Sequence, residues 1–293
     1  MPKVFTKTYL TRYSEINANG LLDPANCARY IIDTAYDWGE ILGLGYTVSN
    51  ELGLYWVIRE NEINLFNSLH FMEEFDFTIW MYEWKRVRGR RAFDMKRKSD
   101  GELIANGVQQ LVCMDCKTLR PVIPPEELIK KFRLENPQEI PSQRFPRIST
   151  APETALTFQQ KVAWQDVDML DMVNNAVYIS YAEEAAARTL AVYGWSPSEL
   201  KGRGLAMAIK RLHIQYQIPA VWGDLLDMTT FLLQLTDTGI SLYVGMTRAS
   251  DGESIANCVL DCFLIDLEDE EARPLPEALV NDLSETLIPV KYD

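Results

Sequence analysis

Histidine is nearly missing from this chain: His70 and His213 are the two among 293 residues. Any reaction that needs an imidazole base has only those positions to draw on. Long apolar runs are missing too. No segment approaches the ~18 apolar residues that span a bilayer, and the opening "MPKVFTKTYLTRYSE" lacks the apolar core of a signal peptide. Cysteine is scarce and odd in number, at five, which points to reduced thiols and a cytoplasmic setting rather than a disulfide framework. Basic residues are in deficit, 29 Lys and Arg against 42 Asp and Glu, for a net charge of −13. Such a molecule repels nucleic acid and anionic membranes, so an anionic partner needs a local basic patch. A Gly-rich phosphate loop, a nucleotide fingerprint and a supportable Ser–His–Asp set are absent as well.

What is present is a globular composition, 47 % hydrophobic and 24 % charged, in a length that suits two domains. The chain also repeats itself. "SDGELIANGVQQLVCMDC" (99–116) is echoed by "SDGESIANCVLDCFLIDL" (250–267), an offset of 151. Without a gap, that offset also pairs Asp76 with Asp227, Thr78 with Thr229, Ile63 with Ile214 and Tyr30 with Tyr181. Gly43, Gly53 and Leu54 fall on Gly194, Gly204 and Leu205. A register held over so long a stretch predicts a duplicated domain. The boundaries read as 1–134, a linker at 135–154 rich in Pro, Ser and Thr, and 155–293.

Each half is expected to run from a short strand ("KVAWQDVD" in the second) into a helix and then several long strands. The first helix opens at "LLDPANCARYIIDTAYDWGEIL", with Asp23 as N-cap and Pro24 at the first helical position. Its counterpart opens at Asn174 or Asn175 and ends near Tyr193. Both are apolar around much of their circumference, as suits a helix enclosed by a sheet. The later segments are rich in β-branched and aromatic residues, joined at Gly-containing turns such as "SDGE". One helix with an antiparallel sheet, made twice, is an α+β architecture.

This layout resembles the hotdog fold, and in tandem the double-hotdog acyl-ACP thioesterases of bacteria and plants. Half one follows that family's order, with a tryptophan-led strand, an acid-flanked turn, an Arg-rich strand, "DGE" and a closing "D-x-x-T-x-R-P". In half two, "DVDMLDMVNNAVYISYAEEA" resembles the superfamily's "D-x-D-x-x-(G/Q)-H-V-N-N-x-x-Y", matched by Asp168, Val173, Asn174, Asn175 and Tyr178. The resemblance implies hydrolysis of a fatty acyl thioester on acyl carrier protein or coenzyme A, no cofactor, and halves acting as an intramolecular pseudo-dimer along an acyl tunnel, with further homo-oligomerisation open. It also implies a place in fatty acid metabolism. Where the plant enzymes continue from the Asp with Asn and His at steps of two, this chain has Leu170 and Met172.

The chemistry expected at that loop needs a polarised carbonyl and an activated water or attacking carboxylate. The helix start near Asn174 offers the first through its free N–H groups and dipole. Asp168 offers the second as base or nucleophile; the alternative is a loop Asp that caps the helix or pairs with a base. Further candidates are Asn17 and Asn19, the half-one equivalents of Asp168 and Leu170, and Asp33 with Glu184 on the two helices. These have the plainer readings of local backbone partners and a solvated helix face. The one dense basic stretch, "WKRVRGRRAFDMKRK" (84–98), carries eight Lys or Arg against one Asp. Strand alternation there would put Arg86, Arg88 and Arg90 on one face for carrier phosphate, with Lys85 and Arg91 on the other; the alternative is a charged edge strand. Cys113 and Cys116, with Cys258 and Cys262, read as thiols buried in sheets rather than a metal site. Two other functions fit the same sequence: a non-catalytic acyl-binding protein that lost its His, and a hotdog thioesterase for an aryl or polyketide thioester.

Overall fold

Period-two burial builds the sheets, and period-3.6 burial builds the helices they enclose. The computed structural model describes residues 3–45, 51–148 and 150–284. It divides into two units, Met1–Gln143 and Arg144–Asp293, a division that falls inside the 135–154 stretch. Among the described residues no helix is long and apolar enough to cross a membrane.

The first unit runs β1 (Val4–Leu10), α1 (Pro24–Ile41), β2 (Leu54–Leu65), β3 (Glu74–Lys85), β4 (Arg88–Arg97), β5 (Leu103–Asp115) and α2 (Glu126–Phe132). Its strands pair antiparallel in the order β1-β3-β4-β5-β2. α1 turns Cys27, Ile31, Thr34 and Trp38 inward, a stripe at three- and four-residue spacing. The sheet answers with Phe75, Phe77, Ile79 and Phe93, none of them exposed; Phe77 and Phe93 stack at 5.3 Å. On the sheet's other face Trp80, Ala92 and Val108 are covered by Ile140 and Leu134, and the Trp80 indole donates to the Gln138 carbonyl at 2.7 Å.

The second unit repeats this: β6 (Leu156–Lys161), α3 (Asn175–Val192), a short α4 (Pro197–Gly202), β7 (Leu205–Tyr216), β8 (Leu225–Leu235), β9 (Gly239–Arg248), β10 (Ser254–Asp266) and α5 (Glu277–Ser284). The order is β7-β10-β9-β8-β6, again antiparallel. The repeat extends to irregularities. The bulge between Met81 and Glu83 recurs between Leu232 and Gln234. The "SDGE" turns place Gly101 and Gly252 at the same φ, 76°, a left-handed value that glycine adopts without strain. Each half is therefore one hotdog: a curved antiparallel sheet with a single long helix on its inner face.

Two local expectations are corrected. "KVAWQDVD" is not a strand; the strand lies upstream at Leu156–Lys161, and Trp164–Asp166 form a 3-10 turn, because Asp166 folds back to accept the Ala163 N–H at 2.8 Å. The basic stretch is not one strand either. Arg86 sits in the β3–β4 hairpin at φ 53°, its carbonyl accepting the Trp84 indole N–H at 2.8 Å. Alternation therefore restarts at Arg88, so Arg86 is not placed by the same face as Arg88 and Arg90.

Candidate active site

The junction between the 3-10 turn and α3 brings the second half's candidate groups, Asp168 and Asn174, together. Asn174 is the N-cap of an 18-residue helix, and its side-chain oxygen accepts from the Ala176 N–H. Its Nδ2 donates to Asp168 Oδ2 at 3.4 Å. Asp168 Oδ1 is held by the Leu170 N–H at 2.9 Å, and its backbone N–H donates to Met172 O at 2.9 Å. Asp171, at φ 58°, closes the turn. Asp168 is half-buried, whereas Met169, Leu170 and Asp171 are exposed. One carboxylate oxygen is thus committed to the loop, and the other carries only a long hydrogen bond.

The frame around it is rigid. The Asn174 N–H donates to Asp166 O at 3.0 Å and the Val173 N–H to Ala220 O at 2.9 Å. The Tyr181 hydroxyl donates to Asp166 Oδ2 at 2.5 Å, and burial drives that phenol's pKa upward. The Tyr178 hydroxyl accepts from the Ala220 N–H at 2.9 Å; burial pushes it up to about 12. Both phenols stay protonated and structural at neutral pH. Donors remain at the helix mouth. Ala176 N–H is taken by the Asn174 side chain and Val177 N–H by the Asn174 carbonyl, which leaves the Asn175 N–H, one of the helix's orphan donors. The Asn174 amide has a second hydrogen besides the one given to Asp168.

The equivalent junction in half one keeps the frame and exchanges the chemistry. Asn17 stands where Asp168 does, and Asp23 where Asn174 does. The Asn17 side-chain oxygen accepts from Asn19 N at 2.9 Å and Leu21 N at 3.3 Å, so Asn19 contributes its backbone to the turn. Asp23 is the N-cap of α1, yet its side chain makes no capping hydrogen bond. Burial raises its pKa, while the Asn17 amide and Arg29 pull it back. Reading Asp23 simply as a cap missed this exchange, although the offset of 151 pairs 23 with 174. The fold also brings His70 to this loop, its Nδ1 lying 3.2 Å from Gly20 O; fifty residues separate them in sequence. His213, by contrast, is buried in β7 with its ring edge-on to Phe145 at 5.0 Å.

Both loops carry an exposed aromatic pair at repeat-related positions. Tyr13 meets Phe71 at 6.0 Å, and Trp164 meets Trp222 at 5.7 Å, each edge to face. The other sequence candidates lie apart. Asp33 and Glu184 are exposed on their helices. Glu183, beside Glu184, instead turns toward buried Cys258 and Cys262 and acts on both thiols; a pair of acids between alanines on an apolar helix was the available signal. Arg88 is exposed, and Arg90 Nε lies 3.7 Å from Glu83. Cys113 is buried and Cys116 exposed past the end of β5, so they do not face one site. Burial pushes the Cys113 thiol up to about 11. No group of His, Cys, Asp and Glu suited to a metal occurs among the described residues.

With this geometry in view, similarity to known proteins is informative. Residues 2–132 match the acyl-ACP thioesterase N-terminal domain family, and residues 162–283 the thioesterase-like superfamily. The long-chain acyl-CoA thioesterase FadM of Escherichia coli (strain K12) is 29 % identical over 130 residues, covering 43 % of this chain and 96 % of that protein. The crystal structure of an acyl-ACP thioesterase from Bacteroides thetaiotaomicron has a TM-score of 0.69 at 20 % identity, covering 89 % of this chain and 98 % of its own. The 12:0-ACP thioesterase from Umbellularia californica gives 0.70 at 16 %, covering 93 % and 95 %. Those two likenesses bear on the fold alone, and each spans both halves of this chain. With a thioesterase match in each half and the tandem fold throughout, the chain is a double-hotdog thioester hydrolase that resembles the acyl-ACP thioesterases.

Proposed function

We propose that the chain hydrolyses fatty acyl thioesters presented on acyl carrier protein or coenzyme A, with the reacting carbonyl at the mouth of α3. The observation that carries this reading is Asp168 Oδ2 held 3.4 Å from the Asn174 amide at a helix start. As base, Asp168 takes a proton from water while the water oxygen bonds to the thioester carbon. The carbonyl electrons move onto oxygen, toward the Asn175 N–H and the second Asn174 amide hydrogen. Collapse restores the carbonyl and breaks the C–S bond, and the thiolate leaves with the proton returned by Asp168. As nucleophile, Oδ2 would itself bond the carbon and expel thiolate, leaving an anhydride for water to open. Neither route needs a histidine where Met172 stands.

Carrier recognition is assigned to the β3–β4 hairpin, where Arg86 and Arg88 are exposed and Arg90 is adjacent. An arginine fork matches phosphate and acidic surfaces. The test is steady-state turnover. Asp168→Asn should lower kcat by roughly 10²–10⁴-fold, and Asn17→Ala by much less. Equal losses would refute the assignment of the chemistry to half two.

A further inference from the structure

The middle of the first half's sheet contains a polar pair where the second half has none. Arg91 on β4 and Gln109 on β5 are cross-strand partners. At the same offset in the second half the partners are Leu242 and Leu260, both buried. The fold therefore does not need polar groups at this place; two leucines close it.

The pair lies on the helix side of the sheet. Ala92 and Val108, the next residues, point to the opposite face, into the cluster with Trp80 and Ile140. Strand alternation turns Arg91 and Gln109 the other way, with buried Phe93 and Met95. Tyr36 of α1 is the titratable group that acts on Arg91, as expected on that side. Burial lowers the Arg91 pKa to about 10, so the guanidinium is still a cation at neutral pH.

Its hydrogen bonds among the described residues go to a neutral partner. Gln109 Oε1 accepts from Arg91 Nε at 3.0 Å and again from Nη2. Guanidinium has five N–H donors, so three remain beyond those two bonds. Among the described residues Arg91 takes part in no ion pair. Arg91 is only partly exposed, and a cation drawn out of water without a counter-charge costs stability, which a leucine pair would have avoided. Next to Gln109 on the same face stands buried Asn61 of β2, its Oδ1 without a hydrogen-bond partner among the described residues, where the second half has Leu212.

We propose that Arg91 and Gln109 form a recognition point inside the first half for an acyl chain bearing a carboxylate, as in a dicarboxylic acyl thioester. The proposal deepens the thioesterase reading and takes from it only that the occupant is an acyl chain. A carboxylate would accept the open N–H fork and neutralise the charge, and Gln109 would hold the guanidinium in plane for it. A hydrocarbon tail of equal length would leave the cation unpaired.

The test uses pantetheine thioethers, which cannot be hydrolysed, in pairs matched for chain length, one ending in methyl and one in carboxylate. Calorimetry on the wild-type protein should give a Kd about tenfold or more lower for the carboxylated member at the favoured length. R91L/Q109L, which installs the second half's pair, should abolish that preference while keeping affinity for the methyl-ended member. Should that variant not fold, Arg91→Met with Gln109 retained gives the same readout. Equal or weaker binding of the carboxylated member at every length overturns the proposal, as does a preference that survives loss of Arg91. Hydrolysis of the corresponding thioesters is measured separately. Absence of turnover would count against the thioesterase reading and leave the binding comparison intact.

Discussion

The loop–helix junctions of the two halves have the same backbone hydrogen bonds and opposite acids. In half two Asn17's counterpart is Asp168, and the cap is Asn174, whose side chain accepts the Ala176 N–H. In half one the cap is Asp23, which binds no helix amide with its side chain. The Tyr–acid brace is retained in both, Tyr30 to Glu15 and Tyr181 to Asp166. The β3–β4 hairpins diverge as well. Half one reads Arg86-Val-Arg-Gly-Arg-Arg91, and half two reads Asp237-Thr-Gly-Ile-Ser-Leu242. A duplicated scaffold keeps what fixes its backbone and is free to divide its charges. Here the acid with an open oxygen lies in one half, and the basic hairpin in the other.

Several changes would break or sharpen that comparison. The largest effect is expected from giving half two the arrangement of half one, Asp168→Asn with Asn174→Asp. The acid would move to the cap, and kcat should fall by roughly 10²-fold or more. Asp23→Asn should alter kcat by less than about tenfold; losses of similar size would place chemistry in both halves. Next comes the hairpin contrast. Reversing Arg88 and Arg90 to Glu should raise KM several-fold for a carrier-bound substrate and leave a short uncharged thioester unaffected. Salt should weaken the wild-type response, since exposed charges are screened over about 10 Å at 0.1 M. If both substrates respond alike, the hairpin is structural.

The caps predict a smaller difference, in stability. Asn174→Ala removes a capping bond worth about 1 kcal/mol, or about 2–4 °C in Tm for a domain of this size. Asp23→Ala removes no such bond, and its Tm should change less in a thermal melt. The smallest effect concerns pH. Burial raises the folded-state pKa of Asp23 above its unfolded value, so the folded chain binds that proton first. Above the raised value the ionised group penalises folding in full, and the penalty fades as pH falls through it. The Tm advantage of Asp23→Asn over wild type should therefore shrink from about pH 7 toward about pH 4. An advantage that grows on acidification would contradict the assigned cause.

Much of this was legible in the chain itself. The gapless offset of 151 set two copies of one fold, because duplicated strands must keep the same faces buried to pack at all. Asp23–Pro24 and Asn174–Asn175 marked both helix starts, since capping is a local matter of a few adjacent residues. Asp168 was singled out by its match to the superfamily motif beside that second start. What local pattern could not give was register and burial. The basic stretch reads as one strand until Arg86 adopts a left-handed turn and restarts the alternation. His70 meets the Asn17–Asp23 loop only because the turn before β3 folds back on it. Arg91 was one of eight cations in a charged run, and only its pairing opposite Gln109 on the helix side set it apart from the exposed ones. Sequence alone determined which elements form and how often, because propensity and periodicity act over a few residues. Tertiary structure alone decided which charges lose their water, because desolvation depends on neighbours that are distant along the chain.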